Sequence, residues 1–222
     1  KRWLLENGID FSNIKIIGNE LTAVAHIITD RSDNQITAFY PGSMKYPFGE
    51  IAPELLKDAM AIVAPGFAED MKKNVEIYKK NNIPFIYDPG QQITSIGKDD
   101  LIDGMTGAKA LICNDYEFSL IMNKTGLGEK NILDKVEILA VTLGEKGSAI
   151  KTKKEAIDIP PAKPDNIKDP TGAGDAYRAG FIKGLIEGWP MEKTGKVASV
   201  ISTFAISEYG TQNHSFGWDD IK

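Results

Sequence analysis

Four short apolar runs, each closed by residues that turn the chain, constrain this sequence more than any other feature. Ala61-Ile62-Val63-Ala64 ends at Pro65-Gly66, and Phe85-Ile86-Tyr87 at Asp88-Pro89-Gly90. Ala110-Leu111-Ile112-Cys113 ends at Asn114, and Ile138-Leu139-Ala140-Val141 at Thr142-Leu143-Gly144. None alternates apolar with polar, which is the pattern of strands covered on both faces. Helical stretches separate them, at roughly 68–81, 98–103 and 115–122. Strands alternating with helices imply βαβ units and an α/β fold with a mostly parallel sheet. Ligands of such open sheets bind beyond the carboxyl ends of the strands. Gly66, Asp88, Asn114 and Gly144 should therefore line one edge.

The flanks read differently. Residues 1–6 look like the tail of a helix stopped by Asn7-Gly8. Leu21 to Thr29 and Gln35 to Tyr40 read as two strands of a hairpin around the polar turn at 30–34. After Gly144, Ser148 to Lys151 and Ala156 to Ile159 read as antiparallel strands, followed by a stiff connection at Pro160, Pro161 and Pro164. Two helices are expected at 174–187 and about 191–208, split by Gly188-Trp189-Pro190.

The chemistry concentrates where the first of those helices begins. Lys168-Asp169-Pro170-Thr171-Gly172-Ala173-Gly174-Asp175 runs straight into an apolar face at helical spacing, Phe181, Ile182, Leu185 and Ile186. Two glycines let the backbone turn tightly and approach a ligand. Free N–H groups at a helix start favour an anion, most simply a phosphate. Asp175 would repel a phosphate placed directly on it. It fits if it faces a neutral hydroxyl beside the phosphate, as a general base next to an N–H anion hole. A glycine-rich cap with an ordinary first-turn Asp is the plainer alternative. Asn114-Asp115-Tyr116-Glu117 is first of all a capping box, and Thr142-Leu143-Gly144-Glu145-Lys146-Gly147 a glycine-bearing turn.

Composition narrows the function classes. The 222 residues carry a net charge of −5 and no basic block, which argues against nucleic acid as a partner. An anionic substrate would need local N–H groups, single Lys or Arg residues, or metal ions. Cys113 is the only cysteine, which excludes an intrachain disulfide and a Cys-based zinc site and fits a cytoplasmic setting. No apolar run is long enough for a membrane span. The phosphate loop Gly-x-x-x-x-Gly-Lys-Ser/Thr, the dinucleotide fingerprint and the zincin and nucleophile-elbow motifs are all missing.

Asp169-Pro170-Thr171-Gly172-Ala173-Gly174-Asp175-Ala176-Tyr177-Arg178-Ala179-Gly180 closely resembles the C-terminal signature of the ribokinase-like (PfkB) carbohydrate and nucleoside kinases. The resemblance implies a three-layer α/β/α fold with a mostly parallel central sheet and a small β lid. It implies an ATP-dependent kinase acting on a primary hydroxyl of a nucleoside or sugar, with Asp175 as base and Gly172, Ala173 and Gly174 as the anion hole. It places Asn114, Thr142, Gly144 and Gly147 at ATP, and Glu117 at Mg²⁺, through water. It assigns Asp169, Thr171 and Gly210 to a monovalent cation such as K⁺. Three further strings, Asn34 to Gly42, Asp88-Pro89-Gly90-Gln91-Gln92 and Gly174 to Gly180, look most like the adenosine- and nucleoside-kinase branch. A ribokinase- or fructokinase-type sugar kinase stays open, as does a non-catalytic nucleotide-binding relative.

The resemblance covers nearly all of this chain but not all of the family. The first strand, the Gly-Gly signature and the acceptor-binding Asp have no counterpart, so residues 1–222 are expected to form one kinase domain without its N-terminal portion. Residues 14–45 correspond to the lid hairpin, which is compatible with pairing in a homodimer. His26 is expected to be structural, His214 to lie on a loop near the nucleotide edge, and Arg178, one turn after Asp175, to be an exposed helix arginine, with approach to a phosphate as the alternative.

Overall fold

The computed structural model describes residues 2–11, 14–30, 35–49, 51 and 56–221. A short helix α1 (Arg2–Glu6) precedes an antiparallel hairpin, β1 (Val24–Thr29) and β2 (Gln35–Tyr40). Most of the hairpin turn, residues 31–34, lies outside the described residues, as does Lys1. The first strand begins three residues later than the composition suggests. Its pairing starts at Val24 opposite Tyr40, where Pro41-Gly42 turn the partner away, and the Leu21 carbonyl instead accepts from Ser43 N–H at 2.7 Å.

The main sheet has six strands in sequential order: β3 (Ala61–Val63), β4 (Phe85–Tyr87), β5 (Ala110–Asn114), β6 (Ile138–Thr142), β7 (Ser148–Thr152) and β8 (Ala156–Ile159). The first four are parallel and the last two antiparallel. Helices α2 (Ala68–Lys80), α3 (Lys98–Met105) and α4 (Asp115–Thr125) cover one face through Val75, Leu101, Met105 and Ile121. A fifth short helix, α5 (Glu129–Leu133), joins them. On the opposite face α6 (Ala173–Ile186) and α7 (Met191–Ile206) pack Tyr177, Phe181 and Ala198 against Ile86, Ile112 and Ile150. This is the three-layer α/β/α arrangement. Ile86, Ala110, Leu111 and Ile112 are at most 1% exposed, so the unbroken apolar runs reflect cover on both sides.

Two glycines set the helix layer. A Cβ on Gly180 would stand 2.7 Å from the Ala198 Cα, so α6 and α7 touch backbone to backbone. A Cβ on Gly195 would stand 2.6 Å from side-chain carbons of Ile150 and Ile159, so α7 lies close on β7 and β8. Among the described residues no helix is long and apolar enough to cross a membrane.

The hairpin is tied at its own base. Glu20 accepts from the Tyr40 hydroxyl at 2.8 Å and pairs with Lys45 at 2.5 Å. Lys45, then Tyr40, hold its carboxyl down at about 2. Phe48 N–H donates to the Asp70 carboxylate at 2.8 Å, linking this segment to α2. His26 lies in β1, as the sequence suggests, and is exposed.

Candidate active site

The site assembles at the carboxyl edge of the parallel strands. β5 ends at Asn114, paired in register with Thr142 at the end of β6. The next residue begins α4, and its start is a full capping box. Asn114 Oδ1 accepts from Glu117 N–H at 2.7 Å, and Glu117 Oε2 accepts from Asn114 N–H at 2.8 Å. The cap and the proposed metal role are compatible. Fixing Oε2 orients the carboxylate, and Oε1 keeps no partner among the described residues.

Residues 142–148 form the turn between β6 and β7. Leu143 N–H donates to the Gly147 carbonyl at 2.8 Å and Gly147 N–H to the Gly144 carbonyl at 3.0 Å. Gly144 (φ 59°) and Gly147 (φ 90°) occupy backbone that side chains resist. Thr142, Gly144 and Gly147 thus sit beside Asn114 along one rim.

Gly172 caps α6 in the left-handed region, φ 90° and ψ −3°, and the helix begins at Ala173, one residue before the expected start. Among the described residues nothing accepts from the N–H groups of Gly172, Gly174 and Asp175. Asp175 stands in the first turn with its side chain 84% exposed. An accessible carboxylate beside free helix-start donors suits a hydroxyl next to an anion. The head of α6 is anchored from two sides. Tyr177 and Ser148 share a buried hydrogen bond of 2.8 Å, and Ser202 Oγ donates to the Ala173 carbonyl at 3.0 Å. Burial pushes the Tyr177 phenol up to about 12, so it stays neutral in that bond.

Asp169, Thr171 and Gly210 also come together. Asp169 Oδ1 accepts from Thr171 N–H at 2.9 Å and Oδ2 from Gly210 N–H at 3.0 Å. These bonds, Thr171 foremost, lower its carboxyl below the usual range. Both oxygens tether this loop, Oδ1 to Thr171 and Oδ2 to Gly210. Thr211 follows against Gly172, where a Cβ would stand 3.2 Å from it. His214 stacks on Phe216 at 6.1 Å, with Nδ1 unpartnered among the described residues.

Arg178 departs from expectation. Its side chain is only 18% exposed and grips Asp88, with Nη2 to Oδ1 at 3.0 Å and Nε facing Oδ2. The same guanidinium reaches Asp175 at 3.6 Å and Glu117 at 4.0 Å. Asp88 is buried, which pushes its carboxyl up to about 6 against the opposing pull of Arg178. The sequence hinted at both partners, a carboxylate closing a buried strand and an arginine one turn after Asp175. No local pattern joins residues 90 positions apart. Among the described residues no three His, Cys, Asp or Glu side chains form a ready metal cluster. A divalent ion would rest on Glu117 together with water and substrate oxygens.

Residues 1–216 match the pfkB family carbohydrate kinase pattern. The chain is 33% identical over 222 residues to a nucleoside kinase of Methanocaldococcus jannaschii, covering all of this chain and 72% of that protein. The structure of Burkholderia thailandensis nucleoside kinase in complex with inosine superposes with a TM-score of 0.90 at 30% identity, over 99% of this chain and 74% of that one. The same enzyme in complex with ADP-inosine gives 0.89, over 99% and 69%. The chain belongs to the pfkB family of carbohydrate kinases, with the ribokinase-like fold, and is a phosphotransferase that acts on a hydroxyl group.

Proposed function

We propose that this protein transfers the γ-phosphoryl group of ATP to a primary hydroxyl of a nucleoside. The exposed Asp175 carboxylate at the head of α6, beside N–H groups without partners, carries the reading. In it Asp175 takes the proton of the acceptor hydroxyl. The N–H groups of Gly172 and Gly174 face the charge that builds on the transferred group, while that of Ala173 already donates to the Pro170 carbonyl at 3.3 Å. Asn114, Thr142, Gly144 and Gly147 line the nucleotide side, and the β1–β2 hairpin would serve as a lid over the acceptor. Bound Mg²⁺ would neutralise phosphate charge, with Glu117 orienting its waters. The nucleoside preference draws on the relatives from Methanocaldococcus jannaschii and Burkholderia thailandensis.

The test is ADP release with Mg²⁺ against a panel of nucleosides and sugars. Turnover with inosine, adenosine or another nucleoside supports the reading. Turnover with sugars alone keeps the chemistry and moves the substrate, and ATP binding without turnover revives the non-catalytic alternative. In the same assay, Glu117→Gln raises the Mg²⁺ concentration needed for half-maximal rate. An unchanged Mg²⁺ titration reduces Glu117 to a helix cap.

A further inference from the structure

We propose that Asp88 and Arg178 form a positioning clamp that holds the first turn of α6, and with it Asp175 and the Gly172–Gly174 N–H groups, against the carboxyl ends of β4 and β5. The inference rests on the phosphoryl-transfer reading of that turn. Its basis is geometric. Side chains on a helix lean toward its N-terminus, so Arg178 reaches back over the turn it follows. It does so closely: a Cβ on Gly174 would stand 2.7 Å from Arg178 Nη1, so the guanidinium lies directly over Gly174. The other end of the side chain is fixed by two contacts to Asp88, which directly follows β4 and is itself held by its N–H donating to the Val63 carbonyl at 2.9 Å.

No other tie does this work. Tyr177 and Ser202 secure α6 to β7 and α7. Among the described residues Arg178 makes the only hydrogen bond or ion pair from α6 to the segments that follow β4 and β5. Those segments carry Glu117, so the clamp sets the spacing between the base and the carboxylate assigned to Mg²⁺. The Nη2 hydrogen bond and the Nε ion-pair contact to Asp88 also keep the guanidinium 3.6 Å from Asp175, short of a full hydrogen bond that would occupy the base. A guanidinium fork suits this task and an ammonium does not, because only the fork fixes direction as well as charge.

The experiment compares Asp88→Asn, Arg178→Met, Arg178→Lys and the Asp88→Asn/Arg178→Met pair in the intact protein, reading kcat, KM for ATP and nucleoside, and Tm. Each single change is expected to lower kcat about tenfold or more, since misplacement by an ångström is costly. Both KM values should stay within about threefold, because the residues are read as positioning the reacting groups rather than binding substrate uniformly. Lys should not rescue, and the pair should be no worse than Arg178→Met alone. A raised KM for ATP at preserved kcat in Arg178→Met, with Asp88→Asn silent, overturns the clamp and makes Arg178 a phosphate ligand. Lower Tm with unchanged kcat, or rescue by Lys, overturns it too. Wild-type turnover that depends on Asp175 but ignores all four variants rejects the clamp alone. Absence of any turnover in wild type rejects the kinase reading and the clamp with it.

Discussion

Asp175→Asn lowers kcat by at least about 100-fold, the low end of what a positioned general base contributes. Asn is nearly the same size and keeps one oxygen toward the acceptor, but it has no useful affinity for a proton. The substitution is also gentle on the fold. The side chain is 84% exposed, and its ion-pair partner among the described residues is Arg178, at 3.6 Å. What stability it provides comes from the helix dipole and a loose ion pair, about 1 kcal/mol or less. Rate and stability should therefore separate, with kcat collapsing while Tm moves by a few degrees at most. KM for ATP should change little, because the N–H groups of the anion hole belong to the backbone and stay in place. A fall in kcat of less than tenfold, with nucleoside and ATP still bound, would remove the base from Asp175. The Gly-Ala-Gly-Asp turn would then be an anion site only.

How much of this was legible in the sequence depends on range. The parallel strands were, because burial on both faces leaves unbroken apolar runs whose ends need Gly, Pro, Asp or Asn. The capping box at Asn114 and Glu117 was, because both partners lie within four residues. The helix expected at 115–122 runs on to Thr125 and stops at Gly126 in the left-handed region, φ 72°, a C-cap signal present in the sequence. Helix α5 was not seen, since five residues are too few to show a period. The Asp88–Arg178 contact was least accessible. Each residue carries a weak local hint, and the contact arises only when α6 is laid across the sheet edge by the Gly180 and Gly195 approaches. Proximity of Asp169 to Gly210 has the same origin, though there the family resemblance had already brought the two together.

The rim formed by residues 142–148 should be far less tolerant at one glycine than at the other. At Gly147 the backbone sits at φ 90° and ψ −132°, a region essentially closed to residues with a Cβ. An added Cβ would also lie 2.0 Å from the Ile159 carbonyl oxygen and 2.9 Å from the Pro160 carbonyl carbon. These are backbone atoms, held by the pairing of Ser148 with Ile159, so the end of β8 would have to shift. Backbone strain and overpacking each cost about 1–3 kcal/mol, so Gly147→Ala should lose about 3 kcal/mol or more. For a chain of this size that is a fall in Tm of roughly 6–12 °C. Gly144 has φ 59° and nothing within 4 Å of its would-be Cβ, so Ala there meets only the left-handed penalty. That is about 1–2 kcal/mol. The two variants share a loop, a residue type and a change of one methyl group, so the difference between them isolates contact with β8. Because the displaced strand end borders Thr142 through Ser148, Gly147→Ala should also weaken ATP binding. Equal losses of Tm in the two variants would contradict the close packing of Gly147 on Ile159 and Pro160, and with it the account of why this turn holds its shape.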